Sequence, residues 1–153
     1  MPTDDRQVRR ATPSDSDAIA DLYTDIRDEN LGPIPPPVHS REENHDWVRH
    51  ILLPTHEVWV AERRGELIGF MALHRPDWLG HLYIRASATG HGLGSRFVEL
   101  AKRELPGLIQ LWTFQSNAGA RRFYERHGFV AVQWTDGDNE EGAPDVRYEL
   151  RRD

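Results

Sequence analysis

Three glycines, Gly90, Gly92 and Gly94, lie at alternate positions between a predicted strand and a predicted amphipathic helix. A loop without side chains lets backbone N–H groups approach a phosphate, and the helix N-terminus adds partial positive charge. The spacing G-x-G-x-G differs from the G-x-G-x-x-G of dinucleotide-binding proteins, which also normally follows the first strand. The loop therefore predicts anion binding, with a tight turn that holds no ligand as the alternative.

A second segment, Asn117–Phe129, has the features of a short capped helix. Asn117 is a good N-cap, and Gly128 suits the left-handed residue that follows a helix end. One side of this predicted helix carries Ala120, Phe123, Tyr124 and His127. The pattern alone is also typical of an ordinary amphipathic helix in which Tyr124 is a core residue.

Composition excludes several kinds of chemistry for this chain of 153 residues. It has no cysteine, which excludes disulfides, thiolate zinc sites, iron–sulfur clusters and a cysteine nucleophile. Lys102, the only lysine, follows Ala101 and not glycine, so a nucleotide-hydrolysing P-loop is excluded. The formal charge of −6 argues against a nucleic-acid partner. The histidines have no metal-ligand spacing, so no metal is expected.

The location and domain content follow from length and hydropathy. No apolar run approaches the ~20 residues of a membrane helix, so no membrane association is expected. The start of the chain, Met1–Asp5, is polar and acidic and does not resemble a signal peptide. We therefore expect one cytoplasmic domain over residues 1–153.

Strand and helix patterns alternate along the chain, which predicts an α/β fold. The predicted strands are Gln7–Ala11, Glu57–Glu62, Leu67–Leu73, Leu79–Ile84, Leu108–Phe114, Phe129–Trp134 and Val146–Leu150. Helices are predicted after Thr12, over Ser40–Leu52 with Trp47, Val48 and Ile51 facing inward, after the glycine loop, and over Asn117–Gly128. Arg64-Gly65 is a hairpin signal, so the sheet is expected to be mixed and not wholly parallel.

The glycine loop, a helix, a strand and then N-x-x-A-x-x-F-Y-x-x-x-G-F occur in the order seen in the GNAT superfamily of N-acetyltransferases, which this chain resembles. Arg9–Pro13 with Asp17–Ile19 is similar to that family's first strand and helix, and Glu66–Phe70 to its second hairpin. The resemblance implies a single domain with a mixed, mostly antiparallel sheet of six to seven strands and about four helices. It also implies a central parallel strand pair that splays apart.

The resemblance further implies that acetyl-coenzyme A binds between the splayed strands. Backbone groups of Leu82, Tyr83 and Ile84 would pair with the pantetheine arm, as an added strand does. The pyrophosphate would lie on backbone N–H groups of Gly90, His91, Gly92, Leu93, Gly94 and Ser95. Asn117 would bind the pantetheine or a water beside it. The family usually has glutamine or arginine where this chain has Thr89, so a side-chain contact is expected to be missing there.

The implied reaction is direct acyl transfer from acetyl-coenzyme A to an amine, with no metal. Tyr124 would protonate the leaving thiolate, since a phenol of ordinary pKa is a suitable acid. His81, in the strand before the glycine loop, is the first candidate for the base that takes the amine proton. The other candidates are a water relay and the side chains of His74, Asp77, Glu29 and Glu57.

The acceptor is expected to be an amine of a small molecule or a protein. It would enter between the proline-rich segment Leu31–Val38 and the acidic loop Asp136–Asp145, which could attract a cation. Four tryptophans are candidates for an apolar pocket or for the core: Trp59, Trp78, Trp112 and Trp134. A homodimer is possible. The alternative function is an acyl-coenzyme A sensor that transfers nothing; a dinucleotide oxidoreductase is disfavoured by the loop.

Overall fold

Seven strands form one sheet in the order β1-β2-β3-β4-β5-β7-β6 in a computed structural model of the chain. The strands are β1 (Arg6–Arg10), β2 (Glu57–Arg63), β3 (Glu66–His74), β4 (Trp78–Ile84), β5 (Ile109–Phe114), β6 (Val130–Trp134) and β7 (Asp145–Leu150). The structure describes residues 5–152, so most of the segment whose polarity argued against a signal peptide lies outside the described residues. The mixed, mostly antiparallel sheet predicted from the sequence is confirmed.

Four helices cover the two faces of this sheet. They are α1 (Ser16–Glu29), α2 (beginning with Arg41–Trp47), α3 (Leu93–Glu104) and α4 (Ala118–Arg126). One core cluster joins α1 and α2 to the sheet around Phe70, and another joins α3 and α4 to the opposite face around Phe97. Over the described residues, none of these helices has the length and apolar character that crossing a bilayer demands.

Turns and caps follow the local rules that predicted them. Arg64 and Gly65 have φ values of 53° and 80°, the left-handed pair that a tight hairpin between β2 and β3 needs. The Thr12 N–H donates to the Asp15 carboxylate at 2.8 Å, which caps the first turn before α1. Gly128 follows α4 with φ of 93°. The hairpin and both helix boundaries are therefore confirmed.

The only parallel neighbours in the described sheet are β4 and β5, and they separate almost at once. Their register contains one residue pair, Trp78 beside Gln110. The Gln110 N–H also donates to the Asp77 carbonyl at 2.7 Å. Beyond this point the carboxyl-terminal parts of the two strands diverge, as the sequence resemblance predicted, and leave a gap in the middle of the sheet.

A β-bulge in β4 decides which side chains face which core. Ala72 of β3 pairs with His81, whereas Leu73 pairs with Leu79, so Gly80 is the extra residue. One extra residue reverses the alternation of side chains along the strand. Leu79 therefore lies in the core around Phe97, while His81 contacts the aromatic residues beneath α1 and α2.

The second helix is longer than predicted, and one inward position was wrong. After Trp47 it continues as a π-helical turn, Val48–Leu52, and ends with a last turn, Leu53–Thr55. The Leu53 N–H bonds the Val48 carbonyl five residues back. This wider turn holds one more residue than an α-helical turn. Leu52 consequently enters the core, and Ile51, expected to face inward, is 52% exposed.

The π-helical turn predicts opposite outcomes for two adjacent truncations. Leu52→Ala removes a side chain that is 0% exposed, so we expect a loss of roughly 2–5 kcal/mol in the free energy of unfolding. Ile51→Ala, the matched control, removes an exposed side chain and should cost under about 1 kcal/mol. Urea unfolding measures both changes. A larger loss for Ile51→Ala than for Leu52→Ala would contradict the described turn.

Candidate functional site

The gap between β4 and β5 opens into a cleft of about 710 Å³. Its floor is formed by the diverging strands, and its far wall by the inner side of α4. The glycine loop closes one end, while Ile26, Asn30 and Ile34 from α1 and the segment after it approach the other. The predicted coenzyme-binding residues, Tyr124 and His81 lie on these walls or in the loop.

The glycine loop presents unpaired backbone donors to the cleft. Gly90 and Gly92 have φ values of 81° and 79°, and Gly92 is the N-cap of α3. The Arg96 N–H donates to the Gly92 carbonyl at 3.0 Å, and this is the first hydrogen bond from α3 to the loop. The N–H groups of the first helical turn have no acceptor inside a helix. They and the helix dipole are available for an anion.

The third glycine of the loop has a packing role as well. A Cβ built on Gly94 would lie 3.0 Å from the Phe123 ring of α4. In the same region Ser95 Oγ lies 3.1 Å from His127 Nε2. Helices α3 and α4 therefore approach each other closely at the cleft, because the residue between them has no side chain. The spacing of the glycines in the sequence predicted a role for Gly94 in anion binding but not in helix packing.

Most of the predicted coenzyme-binding residues line the cleft. Side chains or backbone atoms of the following residues form its surface: Leu82, Tyr83, Ile84, Thr89, Gly90, Gly92, Gly94, Ser95, Asn117 and Tyr124. Leu93 does not, because its side chain is 1% exposed in the core, and His91 is exposed outside the cleft. Those two can contribute only backbone N–H groups. The Thr89 hydroxyl donates to the Ala86 carbonyl at 2.8 Å.

Tyr124 lies on the wall of the cleft opposite β4. It is 8% exposed, and its ring packs against Phe129 with the centroids 5.6 Å apart. Burial raises the pKa of its phenol above the ordinary 10.0. The hydroxyl therefore holds its proton throughout the physiological pH range, and it is a weaker acid than the phenol of ordinary pKa expected from the sequence.

Asn117 caps the helix that carries Tyr124. Its Oδ1 accepts the Ala120 N–H at 3.2 Å, so this oxygen is already occupied. The amide NH₂ is then the part of the side chain that can bind a ligand. Asn117 and Tyr124 stand at opposite ends of α4, and both line the cleft.

Of the five side chains considered as proton acceptors, His81 alone lines the cleft. Glu57 accepts from Arg75 at 2.9 Å, and Asp77 from Gln110 at 2.9 Å. Glu29 lies 3.3 Å from the Ala86 N–H and 3.4 Å from an Arg85 guanidinium nitrogen. His74 is exposed at the end of β3.

Three histidine rings lie near one another: His81, which lines the cleft, then His56, and then His74, which is exposed. The His81 ring lies 6.0 Å from that of His56, which lies 4.9 Å from that of His74. Burial, together with the charges of His56 and Arg27, lowers the pKa of His81 to about 4. His81 is therefore neutral near pH 7 and has a free nitrogen lone pair. Sequence analysis missed His56, which lies 25 positions from His81 and joins it only through the fold.

A second, smaller cavity of about 300 Å³ lies beside α1. It is bounded by α1, by the segment that leads into α2, and by Glu140 and Glu141 of the acidic loop. His39 Nε2 lies 2.6 Å from Glu140, which ties the two loops together. Pro37 and Val38 of the proline-rich segment line this cavity together with Glu140 and Glu141. Trp112 lines the larger cleft, while Trp134 is 54% exposed beneath Arg121.

Between residues 5 and 152 there is no group of three or more His, Asp or Glu side chains that could hold a metal ion. The chemical groups on the cleft walls include backbone donors, the phenols of Tyr83 and Tyr124 and the imidazoles of His81 and His127.

A sequence model of the acetyltransferase (GNAT) family matches residues 18–129. The chain belongs to this family. Of curated relatives, this GNAT protein is 30% identical over 91 residues to "Peptidyl-lysine N-acetyltransferase YiaC" of Escherichia coli, a match that covers 58% of the chain and 62% of the relative. It is 33% identical over 81 residues to "Probable N-acetyltransferase Rv2775" of Mycobacterium tuberculosis, covering 47% of the chain and 45% of the relative. Less than two thirds of each relative's length is therefore matched.

Solved structures share the fold of this GNAT protein. A structure titled "Structure of yncA, a putative ACETYLTRANSFERASE from Salmonella typhimurium with its cofactor Acetyl-CoA" has a TM-score of 0.70 at 18% identity and covers 97% of this chain and 94% of that one. The apo form of YjaB from Escherichia coli has a TM-score of 0.73 at 23% identity, with 95% and 97% covered. At these identities the likeness establishes the fold.

His39, His56 and His81 of the GNAT protein should titrate at different pH values. We expect His39 to titrate above 6.5, because it is hydrogen-bonded first to Glu140, and His56 below 6.5, because it is half-buried. His81 should titrate last as the pH falls, at about 4. The measurement is an NMR titration of the ring signals, with His81→Gln to assign one of them. A His81 signal that titrates at or above 6.5 would show that the described burial is wrong.

Proposed function

We propose that this chain transfers an acetyl group from acetyl-coenzyme A to the amine of a small molecule or a protein. The observation that carries the proposal is the open parallel pair, with the glycine loop at one end and Tyr124 on the facing wall. The family of the chain and the coenzyme named with the yncA structure support the choice of donor.

The strand edge inside the cleft suits the pantetheine arm. Past Trp78, the edge of β4 that faces β5 has no strand partner. Unpaired backbone N–H and C=O groups favour any ligand that pairs with them. Pantetheine carries two amide groups, so it can lie along Leu82, Tyr83 and Ile84 as an added strand would.

The glycine loop suits the pyrophosphate of the coenzyme. The backbone N–H groups from Gly90 to Ser95 surround the N-terminus of α3, and no Cβ of Gly90 or Gly92 obstructs them. Arg126 lines the same cleft and adds a positive charge. Because backbone groups make these contacts, the loss of a side-chain contact at Thr89 leaves the phosphate site in place.

Tyr124 is assigned the role of general acid. In the transfer, the amine nitrogen forms a bond to the thioester carbonyl carbon, and the bond from that carbon to sulfur breaks. The sulfur leaves with the electron pair of the broken bond and needs a proton. Tyr124 holds a phenol proton at neutral pH on the cleft wall, so it can supply that proton.

His81 is assigned the role of proton acceptor for the amine. Its imidazole is neutral at pH 7 and lines the cleft. A base with a pKa of about 4 holds a proton only briefly.

Replacing the Tyr124 hydroxyl tests the assigned acid. We expect Tyr124→Phe to lower kcat roughly 10²- to 10⁴-fold, the usual contribution of a positioned proton donor. The affinity for acetyl-coenzyme A should hardly change, because the ring remains. Thiol release with a panel of amines measures kcat, and calorimetry measures the affinity.

Tyr148→Phe is the matched control. That hydroxyl is also buried, but it donates to Glu125 at 2.6 Å and does not line the cleft. Its removal should leave kcat unchanged even where stability falls. An unchanged kcat in Tyr124→Phe would remove Tyr124 from the acid role. Binding of the coenzyme without transfer to any amine would instead favour a sensor module.

A further inference from the structure

Arg27 of α1 is a buried cation with an incomplete set of partners. Only 6% of the Arg27 surface is exposed to solvent, and the residue lies in the wall of the smaller cavity. Its Nη1 donates to the Tyr23 hydroxyl at 2.8 Å, and its guanidinium lies 5.5 Å from the Tyr23 ring centroid. No hydrogen-bond partner within residues 5–152 reaches its Nε or Nη2. Burial of a charge without a partner is costly, so such a group calls for an explanation.

The two unpartnered nitrogens lie on one edge of the guanidinium. An Arg edge of this kind presents two parallel N–H donors, which match the two oxygens of a carboxylate. No carboxylate of the described residues hydrogen-bonds these two nitrogens, although the charge of Glu141 acts on Arg27. By contrast Arg41, in the same cavity wall, is already paired with Asp21 and Asp25, each at 2.9 Å.

The position of Arg27 connects this edge with the reacting groups. Its charge acts on both His81 and Tyr83, which line the larger cleft. Tyr23, its hydrogen-bond partner, packs against Tyr83 with the ring centroids 5.2 Å apart. The contact between these two rings therefore connects Arg27, in the wall of the smaller cavity, with the wall of the larger cleft.

We propose that Arg27 is a specificity residue, which binds a carboxylate of the acceptor through Nε and Nη2. This inference rests on the proposed acetyl transfer and names the chemical class of its acceptor: an amine that also carries a carboxylate. Both nitrogens are shielded from solvent in the free protein, so the acceptor displaces a side chain of the cavity wall to reach them.

The carboxylate can belong to a free amino acid or to a peptide, and paired probes separate these sources. One set consists of lysine, 4-aminobutyrate and 6-aminohexanoate, each against its amide. The other consists of end-blocked lysine peptides with either aspartate or asparagine beside the lysine. Binding is measured by thermal unfolding with saturating coenzyme A, and transfer by thiol release from acetyl-coenzyme A.

We expect at least one carboxylate probe to bind and react at least tenfold better than its neutral partner, mainly through KM. Arg27→Gln should abolish that preference, and Arg27→Lys should lose most of it, because lysine lacks the two-donor edge. Arg49→Gln, which removes an exposed arginine paired with Asp17, should leave it unchanged. Retained binding of coenzyme A shows that the variants fold.

The outcomes separate this inference from the proposed function. Equal binding and equal transfer for every acid and its neutral partner would overturn the role of Arg27 and leave the transferase intact. Preferential binding of acids without transfer would support the role of Arg27 and contradict the transferase. No binding of any carboxylate probe in preference to its partner would also overturn the role of Arg27.

Discussion

The cleft exists because β4 and β5 are neighbours at a single residue pair, Trp78 beside Gln110. On either side of this pair the sheet is continuous: β4 is hydrogen-bonded along β3, and β5 along β7. Gln110 is held at the junction, since its side chain donates to Asp77 at 2.9 Å and accepts from Arg147 at 2.7 Å. Two stiff half-sheets thus meet at one point and diverge. Unpaired strand edges in the interior of a sheet favour a ligand with its own amide groups.

The bulge at Gly80 turns the side chains on its two sides toward opposite faces of the sheet. Without it, His81 would lie on the same face as Leu79, in the core beneath α3. With it, the histidine and Tyr83 face the aromatic cluster under α1, next to Arg27. The donor side and the acceptor side of the cleft therefore belong to opposite faces of one strand. His81 and Arg27 lie on one side, and the glycine loop and Tyr124 lie on the other.

Local patterns in the sequence predicted much of this arrangement. Contacts between segments that are distant in the sequence could not be predicted from such patterns. The glycine loop, the Asn117 cap and the hairpin at Arg64 depend on neighbouring residues, and each formed as predicted. Ile51 was misplaced because helical spacing assumes 3.6 residues per turn, and a π-helical turn breaks that period. Arg27 gave no signal, because an arginine four residues after a tyrosine is typical of a solvated helix face. Its burial follows from the packing of α1 against α2 and the sheet.

The central claim is that the glycine loop holds the phosphates of acetyl-coenzyme A, and thermal unfolding of two matched variants tests it most directly. Gly92→Asp adds bulk and negative charge at the start of α3, where φ is 79°. Gly107→Asp makes the same change at φ of 88°, in the turn before β5 and outside the cleft. A saturating ligand raises Tm by on the order of 2–6 °C for a domain of this size. We predict such a shift for the unmodified protein and for Gly107→Asp, and none for folded Gly92→Asp. A shift of equal size in Gly92→Asp, or no shift in the unmodified protein, would contradict the account.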